Sequence, residues 1–229
     1  MELFNPAVAV DALGPLLAGL LMTVELTIVV MALSLVFALF VALGGMSRFW
    51  PLRWAVKTYI EIIRGTPLLL QLVYIYYALP EIAGIRFDPF TAGVIALTLN
   101  YSAYISEVYR SGIQAIGRGQ HDAAAALGMT GPLAMRRIIL PQALRVIVPP
   151  TGNQIIGMLK LTSLASVISV TELLSAAGLI YTRTYETIPL LIVCSLWYVA
   201  LTSLLTLVQR VIERRLGRSL QDVASGRAS

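Results

Sequence analysis

The sequence predicts an all-α integral membrane protein that crosses a bilayer five times, and three observations lead there. The chain has 229 residues, 58% of them apolar and 13% charged, about half the charged complement of a soluble domain. Uncharged stretches of membrane-spanning length recur along it. Lys and Arg, finally, cluster in alternate segments between those stretches. A mean hydropathy of +0.81 agrees with the first observation.

A span needs about 20 mostly apolar residues. Uncharged stretches cover residues 26–47, 89–106 and 187–209, which are 22, 18 and 23 residues long. Two shorter ones, 65–80 and 146–159, extend backward through Ile62 and Ile63 and past Arg145 to Ile138. Five helices are therefore predicted, over about 15–46, 55–79, 90–113, 137–160 and 187–212. Residues 1–21 contain Glu2 and Asp11 but no Lys or Arg. The basic start of a signal peptide is missing, and the first span is expected to remain uncleaved.

Charge sets the expected orientation. Arg48, Arg53, Lys57 and Arg64 follow the first span. Arg110, Arg118, Arg136, Arg137 and Arg145 flank the loop between the third and fourth. Arg210, Arg214, Arg215, Arg218 and Arg227 follow the fifth. These are 14 of the 17 basic residues, with Arg86, Arg183 and Lys160 on the other side. The positive-inside rule then places the N-terminus outside and the C-terminus in the cytoplasm, as an odd number of spans requires. The expected organisation is an extracytoplasmic segment over 1–14, a membrane domain over 15–215 with a cytoplasmic loop at about 114–136, and a cytoplasmic tail over 216–229.

Composition excludes several classes. One cysteine, Cys194, and one histidine, His121, support neither a structural zinc site nor a disulfide framework. The net charge of +5 is explained by its placement beside the spans, so no nucleic-acid partner is expected. A P-loop needs a lysine after glycine in a fixed pattern, and neither Lys57 nor Lys160 has that setting. No nucleophile–base pair stands out. The chain is expected to be no enzyme and to bind no metal or cofactor.

The loop from Arg110 to Arg137 is the longest polar segment between spans. Asp122 ahead of four alanines predicts a helix start, because a carboxylate favours the positive end of a helix dipole. Gly131-Pro132 ends that helix, and Pro132 suits the first turn of the next. Ala123, Ala124 and Gly128 offer a low-profile face where another protein can approach the backbone. From composition alone the same segment also reads as a plain alanine-rich hairpin joining two spans.

The spacing of the loop carries more. Asp122-Ala123-Ala124, three residues, Gly128, nine residues, Ile138, one residue and Leu140-Pro141 resembles the EAA loop of ATP-binding-cassette importer permeases, with Asp for Glu at the first position. The segment Arg64-Gly65-Thr66-Pro67-Leu68-Leu69-Leu70-Gln71-Leu72 is similar to the polar amino acid branch of that family. So are residues 104–114, Gly119-Gln120, the run from Leu159 to Leu164, and Glu172-Leu173-Leu174. The resemblance covers about residues 15–215. It implies the type I importer fold in a bacterial inner membrane. It further implies a coupling role for Gln120, Asp122, Ala123, Ala124, Gly128, Ile138, Leu140 and Pro141. The implied partners are two copies of a cytoplasmic ATPase carrying ATP and Mg, a second permease copy or paralogue, and an extracytoplasmic solute-binding protein.

The path for a solute is sought among polar groups within spans, which are costly in lipid and functional by default. The fourth span holds Pro141, Pro149, Pro150, Gly152, Asn153, Gln154 and Gly157. A broken helix is expected there, with Asn153 and Gln154 either lining a polar cavity or making interhelical hydrogen bonds worth about 0.6–2 kcal/mol. Thr162, Ser163 and Glu172 lie in a segment too polar to span alone, which by resemblance closes the cavity from outside. Tyr101, Ser102 and Tyr104 either face the path or pack with a hydroxyl partner. Glu25 is a snorkelling, inter-span or cargo-contacting residue. His121 touches the ATPase or is solvated, Cys194 fills core, and Trp50 and Trp54 suit an interfacial belt.

Relatives that move cationic amino acids carry acidic side chains where this chain has Gln154 and Leu161. A desolvated cation needs a paired carboxylate. The resemblance thus favours neutral, zwitterionic or acidic solutes, glutamine-like, glutamate-like or ectoine-like, over arginine, lysine or histidine. The alternative is an ion-gradient-driven secondary transporter, which the scarcity of acidic residues in mid-span disfavours.

Overall fold

The computed structural model describes residues 12–224, with side chains to residue 216. Most of the expected extracytoplasmic segment and the end of the tail lie outside the described residues, where all regular structure is helical. The helices are α1 (Leu13–Gly45), α2 (Trp50–Gly65), α3 (Leu68–Ala83), α4 (Pro89–Gln114), α5 (Arg118–Ala126), α6 (Gly131–Ile168), α7 (Leu173–Thr184) and α8 (Thr187–Ala224).

Helix α1 follows the predicted first span closely. One stripe of it is buried, at Gly19, Thr23, Leu26, Val30, Ser34, Ala38 and Ala42, the three-to-four spacing of a single helix face. Small residues on that stripe let backbones approach, the usual basis of packing in lipid. The main neighbour is α4, and Leu26, Val30 and Ala38 share a core with Ala92, Ala96, Leu97, Tyr101 and Ile105. Helix α4 starts at a cap, where Asp88 accepts a hydrogen bond from the Thr91 N–H at 3.1 Å. Hydrogen bonding to Thr91 holds the exposed Asp88 carboxyl below its ordinary range. A second core joins Ala12, Leu16 and Leu20 to Leu173, Ala177, Leu190 and Cys194, so α7 and the start of α8 close on the first turns of α1.

The single helix expected over 55–79 is two helices, α2 and α3, meeting at 106°. Proline explains the break. It forces the residue before it out of the helical region, and Thr66 is extended at φ −119°, ψ 145°, with Pro67 following at φ −62°, ψ 137°. Helix α2 buries none of its residues and exposes Trp50, Arg53, Trp54 and Lys57, the composition of a helix lying along a membrane interface.

The fourth predicted span also differs. Helix α6 is not broken at Pro149 and Pro150 but runs through both. Its irregularities lie elsewhere. A π turn at Met135–Ile139 precedes Pro141, with Leu140 N–H donating to the Met135 carbonyl. A matching π turn at Tyr74–Ala78 precedes Pro80, with Leu79 N–H donating to Tyr74. A proline ring crowds the carbonyl four residues back, and one wider turn relieves that clash while keeping the chain helical. The real break falls after the 3₁₀ end of α6, at Ser169 (φ 69°), and α7 leaves at 50°.

Among the described residues, α1 and α8 are long and apolar enough to cross a bilayer alone, and the bent pairs α2–α3 and α6–α7 qualify jointly. Helix α4 has the length, 26 residues, but Asn100, Ser102 and Ser106 make it more polar.

A close approach between α1 and α7 sets a test. A Cβ on Gly19 would stand 2.7 Å from Ala176 Cβ and 3.0 Å from the Glu172 carbonyl oxygen, whereas one on Gly14 meets nothing. Gly19→Leu should therefore cost about 1–3 kcal/mol through overpacking and lower the melting temperature of the purified protein. Gly14→Leu should leave it unchanged.

Candidate coupling hairpin and polar path

The hairpin is built from α5 and the start of α6. Helix α5 begins at Arg118, four residues before Asp122, because Gln120 N–H already donates to the Gly117 carbonyl at 3.0 Å. Asp122 therefore lies inside the helix rather than at its start. The far end is a glycine-dependent stop. Met129 N–H reaches the Ala124 carbonyl (3.0 Å) and Gly128 N–H reaches Ala125 (2.9 Å), with Gly128 at φ 72°. That pair of bonds is a Schellman cap, whose turning residue favours glycine. Pro132 sits in the first turn of α6, as expected.

The hairpin faces are distinct. Ala124 and Ala134 are buried where α5 meets α6, and Gln142 Nε2 donates to Gln120 Oε1 at 3.2 Å. Ala124 therefore does not belong to the open face predicted for it; its small side chain lets α5 close on α6. Outward stand His121, Asp122, Ala123, Gly128 and Leu127, the last 77% exposed. Further along, Ile138 is half-buried while Leu140 and Pro141 are exposed.

Residues expected along the path separate into two groups. Asn153 is exposed on α6, and its Oδ1 accepts from Gln209 Nε2 of α8 at 3.3 Å. Gln154 is half-buried, with no hydrogen bond among the described residues. Ser163 is half-buried and donates to the Lys160 carbonyl, while the Lys160 side chain is exposed. These residues line α6 where another surface can meet them.

The second group is consumed inside the chain. Ser102 is buried between the Leu99 carbonyl (3.0 Å) and the Tyr59 hydroxyl (2.7 Å), joining α4 to α2. Tyr101 is buried in the main core, and Thr162 donates to the Leu159 carbonyl. Tyr104 lies under the Arg64 guanidinium, 5.2 Å from the ring centre. Glu172 is fully buried. Its Oε1 accepts from Ser175 N–H (2.7 Å) and its Oε2 from Leu174 N–H (2.9 Å) and the Tyr198 hydroxyl (2.8 Å). It caps α7 and ties it to α8.

Three polar residues outside the predicted set hold the architecture. Gln71 Nε2 donates to the carbonyls of Ile63 (2.8 Å) and Thr66 (3.2 Å) and to Thr66 Oγ1 (2.9 Å), while its Oε1 accepts from Asn100 Nδ2 (3.0 Å). One amide thus closes the α2–α3 elbow and fastens it to α4. Gln209, besides Asn153, donates to the Pro149 carbonyl at 3.1 Å, and the bare Gly152 makes room for it. Thr23 of α1 accepts from Leu173 N–H at 3.1 Å. For Gln71 the available signal was an isolated polar residue in an apolar run.

An all-helical membrane chain with a proline-punctuated polar helix and a capped, exposed hairpin at its end has the form of an importer permease subunit. The comparisons agree. Residues 34–218 match the family of binding-protein-dependent transport system inner membrane components, and the chain belongs to that family. It is 43% identical over 206 residues to the L-cystine transport system permease protein TcyB of Bacillus subtilis, covering 89% of this chain and 88% of that one. It is 36% identical to the probable glutamine ABC transporter permease protein GlnM of the same organism, covering 94% and 99%. Among solved structures, a chain of an amino acid ABC transporter crystallised with histidines superposes with a TM-score of 0.88 at 40% identity, covering 93% of this chain and 99% of that one. The fold resembles that of type I importer permeases. The chain is the membrane subunit of an ABC importer, not an enzyme, and ATP is hydrolysed on a separate subunit.

Two substitutions test this geometry. Gln71→Leu strips partners from two carbonyls and from Asn100, and should destabilise the protein by about 1–3 kcal/mol per orphaned buried group, read as a fall in thermal stability. Gly128→Leu forces a side chain into left-handed backbone at a cost of about 1–2 kcal/mol. Nothing crowds a Cβ there, so helical content should persist, and Gly128→Asn should behave more mildly than Gly128→Leu.

Proposed function

We propose that the chain is one of two permeases forming the path of an amino acid importer in a bacterial inner membrane, crossing it five times with its C-terminus in the cytoplasm. A second copy or a paralogue completes the path. Two cytoplasmic ATPases, which hold ATP and Mg, dock on the hairpin, and an extracytoplasmic solute-binding protein delivers the solute. The permease itself carries no cofactor. The observation that carries the reading is α6: one helix bears the exposed hairpin at its start and Asn153, Gln154 and Lys160 further along.

In the cycle, ATP binding draws the ATPases together and moves both hairpins. Gln120 and Gln142, with Ala124 packed beneath, pass that displacement into α6 rather than letting α5 swing freely. The exposed residues Asp122, Ala123 and Leu127 receive the contact, with Gly128 setting the turn and Ile138, Leu140 and Pro141 continuing into the span. The path opens outward, takes the solute, and returns inward after hydrolysis, a population shift between two states biased by nucleotide.

The solute class follows from charge. Glu172 is the carboxylate nearest the path in sequence, and it is spent on Leu174, Ser175 and Tyr198. A cationic side chain meets no free carboxylate at Gln154 or Leu161, whereas Lys160 offers a positive charge to an amino acid's carboxylate. Glutamine-like, glutamate-like or ectoine-like solutes are therefore favoured. Relatives named for cystine and glutamine support a polar amino acid. The solved relative with histidines makes positions 154 and 161 the ones to test.

The reconstituted complex with its binding protein should show ATPase activity stimulated by glutamine-like solutes and not by arginine or lysine. Introducing Gln154→Glu together with Leu161→Asp should shift uptake toward arginine. Leu127→Glu should lower solute-stimulated ATPase activity and uptake about ten-fold, equivalent to roughly 1.4 kcal/mol, at unchanged melting temperature. Uptake that persists without the ATPase and collapses with an uncoupler would contradict the assignment.

A further inference from the structure

An apolar crevice of about 660 Å³ opens between α1, α4, α6 and α8, with Leu39, Met46, Ile113, Leu144, Ile155 and Ile212 among its walls. Its polar side chains are few. The Thr151 hydroxyl is spent on the Ile147 carbonyl, Gln209 Nε2 is spent on Glu213, Pro149 and Asn153, and Tyr109 is the third. Asn153, Gln154 and Lys160 do not line it, although Gln209, which does, reaches Asn153 from the crevice side.

Basic residues continue the crevice-lining helix faces at one end, where Glu213 is held by Gln209 at 2.8 Å. On α8 the lining residues Leu205, Val208 and Ile212 share a helix face, and three residues further that face reaches Arg215. On α6 the stripe through Leu144 and Leu140 runs back to Arg136 and Arg137. On α1 it ends at Met46, two residues before Arg48. All four arginines are exposed, and none has an ion pair or hydrogen bond among the described residues. They belong to the segments that the positive-inside rule places in the cytoplasm, where the facing leaflet carries anionic lipid.

We infer that the crevice is a site for an anionic glycerophospholipid, with an acyl chain between α1, α6 and α8 and its phosphate against these arginines. The chemistry matches at both ends. An alkyl chain gains from apolar walls that offer a polar solute almost nothing, and guanidinium groups suit phosphate oxygens. The inference rests on the membrane placement of the chain and not on the identity of the solute.

The test is lipid retention by the whole permease–ATPase complex, taken from nanodiscs of mixed phosphatidylglycerol and phosphatidylcholine and measured by native mass spectrometry. Wild-type complex should retain phosphatidylglycerol in preference. Arg215→Gln and Arg137→Gln, both on exposed side chains, should each reduce that preference about five-fold, as loss of one cation near an anionic headgroup implies. Leu144→Trp, which fills the crevice, should reduce retention of both lipids while leaving the headgroup preference of any residual lipid intact. Equal retention of the two lipids by wild type would overturn the proposal. So would displacement of the lipid by inorganic phosphate alone, or a Leu144→Cys variant that cross-links to a second copy of the chain. Solute-stimulated ATPase activity, measured in parallel on each variant, reports separately on the importer assignment.

Discussion

Hydrocarbon supplies no hydrogen bonds, and that one constraint organises this molecule. A backbone group left open in lipid costs several kcal/mol, so every departure from a straight helix must be repaired by a nearby donor or acceptor. At the α2–α3 elbow the repair is Gln71, with Thr66 Oγ1 also donating to the Ile62 carbonyl. At the α6–α7 bend it is Glu172, which satisfies two N–H groups at the head of α7, and Thr23, which satisfies a third. The side chains that look most like ligand-binding groups are, for the most part, the ones that permit the bends.

The repairs divide the chain into stiff and compliant parts. Helix α6 extends from Gly131 through Lys160, about 44 Å at 1.5 Å per residue, with one π turn and no break. In the proposed cycle a push at the hairpin travels to the polar residues of α6 through unbroken helix, which a helix broken at Pro149 would not allow. The π turn at Met135–Ile139 lies where the lever enters the span, and a single wide turn is a natural point of flexure. Short turns at Gly117, Gly128 and Ser169 separate the packed segments. Coupling in the proposed cycle follows from this alternation of stiff helix and short turn.

Much of this was legible in the sequence. The first and last apolar spans, the helix expected over 90–113, and the membrane character followed from apolar length alone, because a bilayer reads little else. The hairpin was legible through spacing, and Pro132 fell where its backbone preference demands, but the stop expected at Gly131-Pro132 comes earlier, at Gly128 in left-handed backbone. Three features were not. Gly65-Thr66-Pro67 sits in an uncharged stretch, and hydropathy cannot register a change of direction. Pro149 and Pro150 suggested a break, but helix interiors tolerate proline in membrane proteins, and α6 runs through both. Helix α5 began early because one backbone bond to Gly117 outweighed the preference of Asp122 for a helix start.

The fate of Glu172 shows how a site can be misjudged from sequence and what the error teaches about cargo. An acidic residue in a membrane segment is a functional candidate by default, and a carboxylate near the path would argue for a cationic solute. In the folded chain that carboxylate accepts three hydrogen bonds and is fully buried. Opening it to a solute would leave two N–H groups of α7 and the Tyr198 hydroxyl without partners, each at a cost of about 1–3 kcal/mol. Binding of a guanidinium would have to recover that sum before yielding any affinity. The proposed path, with Asn153, Gln154 and Lys160 on α6, makes no such demand of an amino acid with an uncharged side chain. The selectivity argued from what is missing at positions 154 and 161 is thus reinforced by what is already committed at 172.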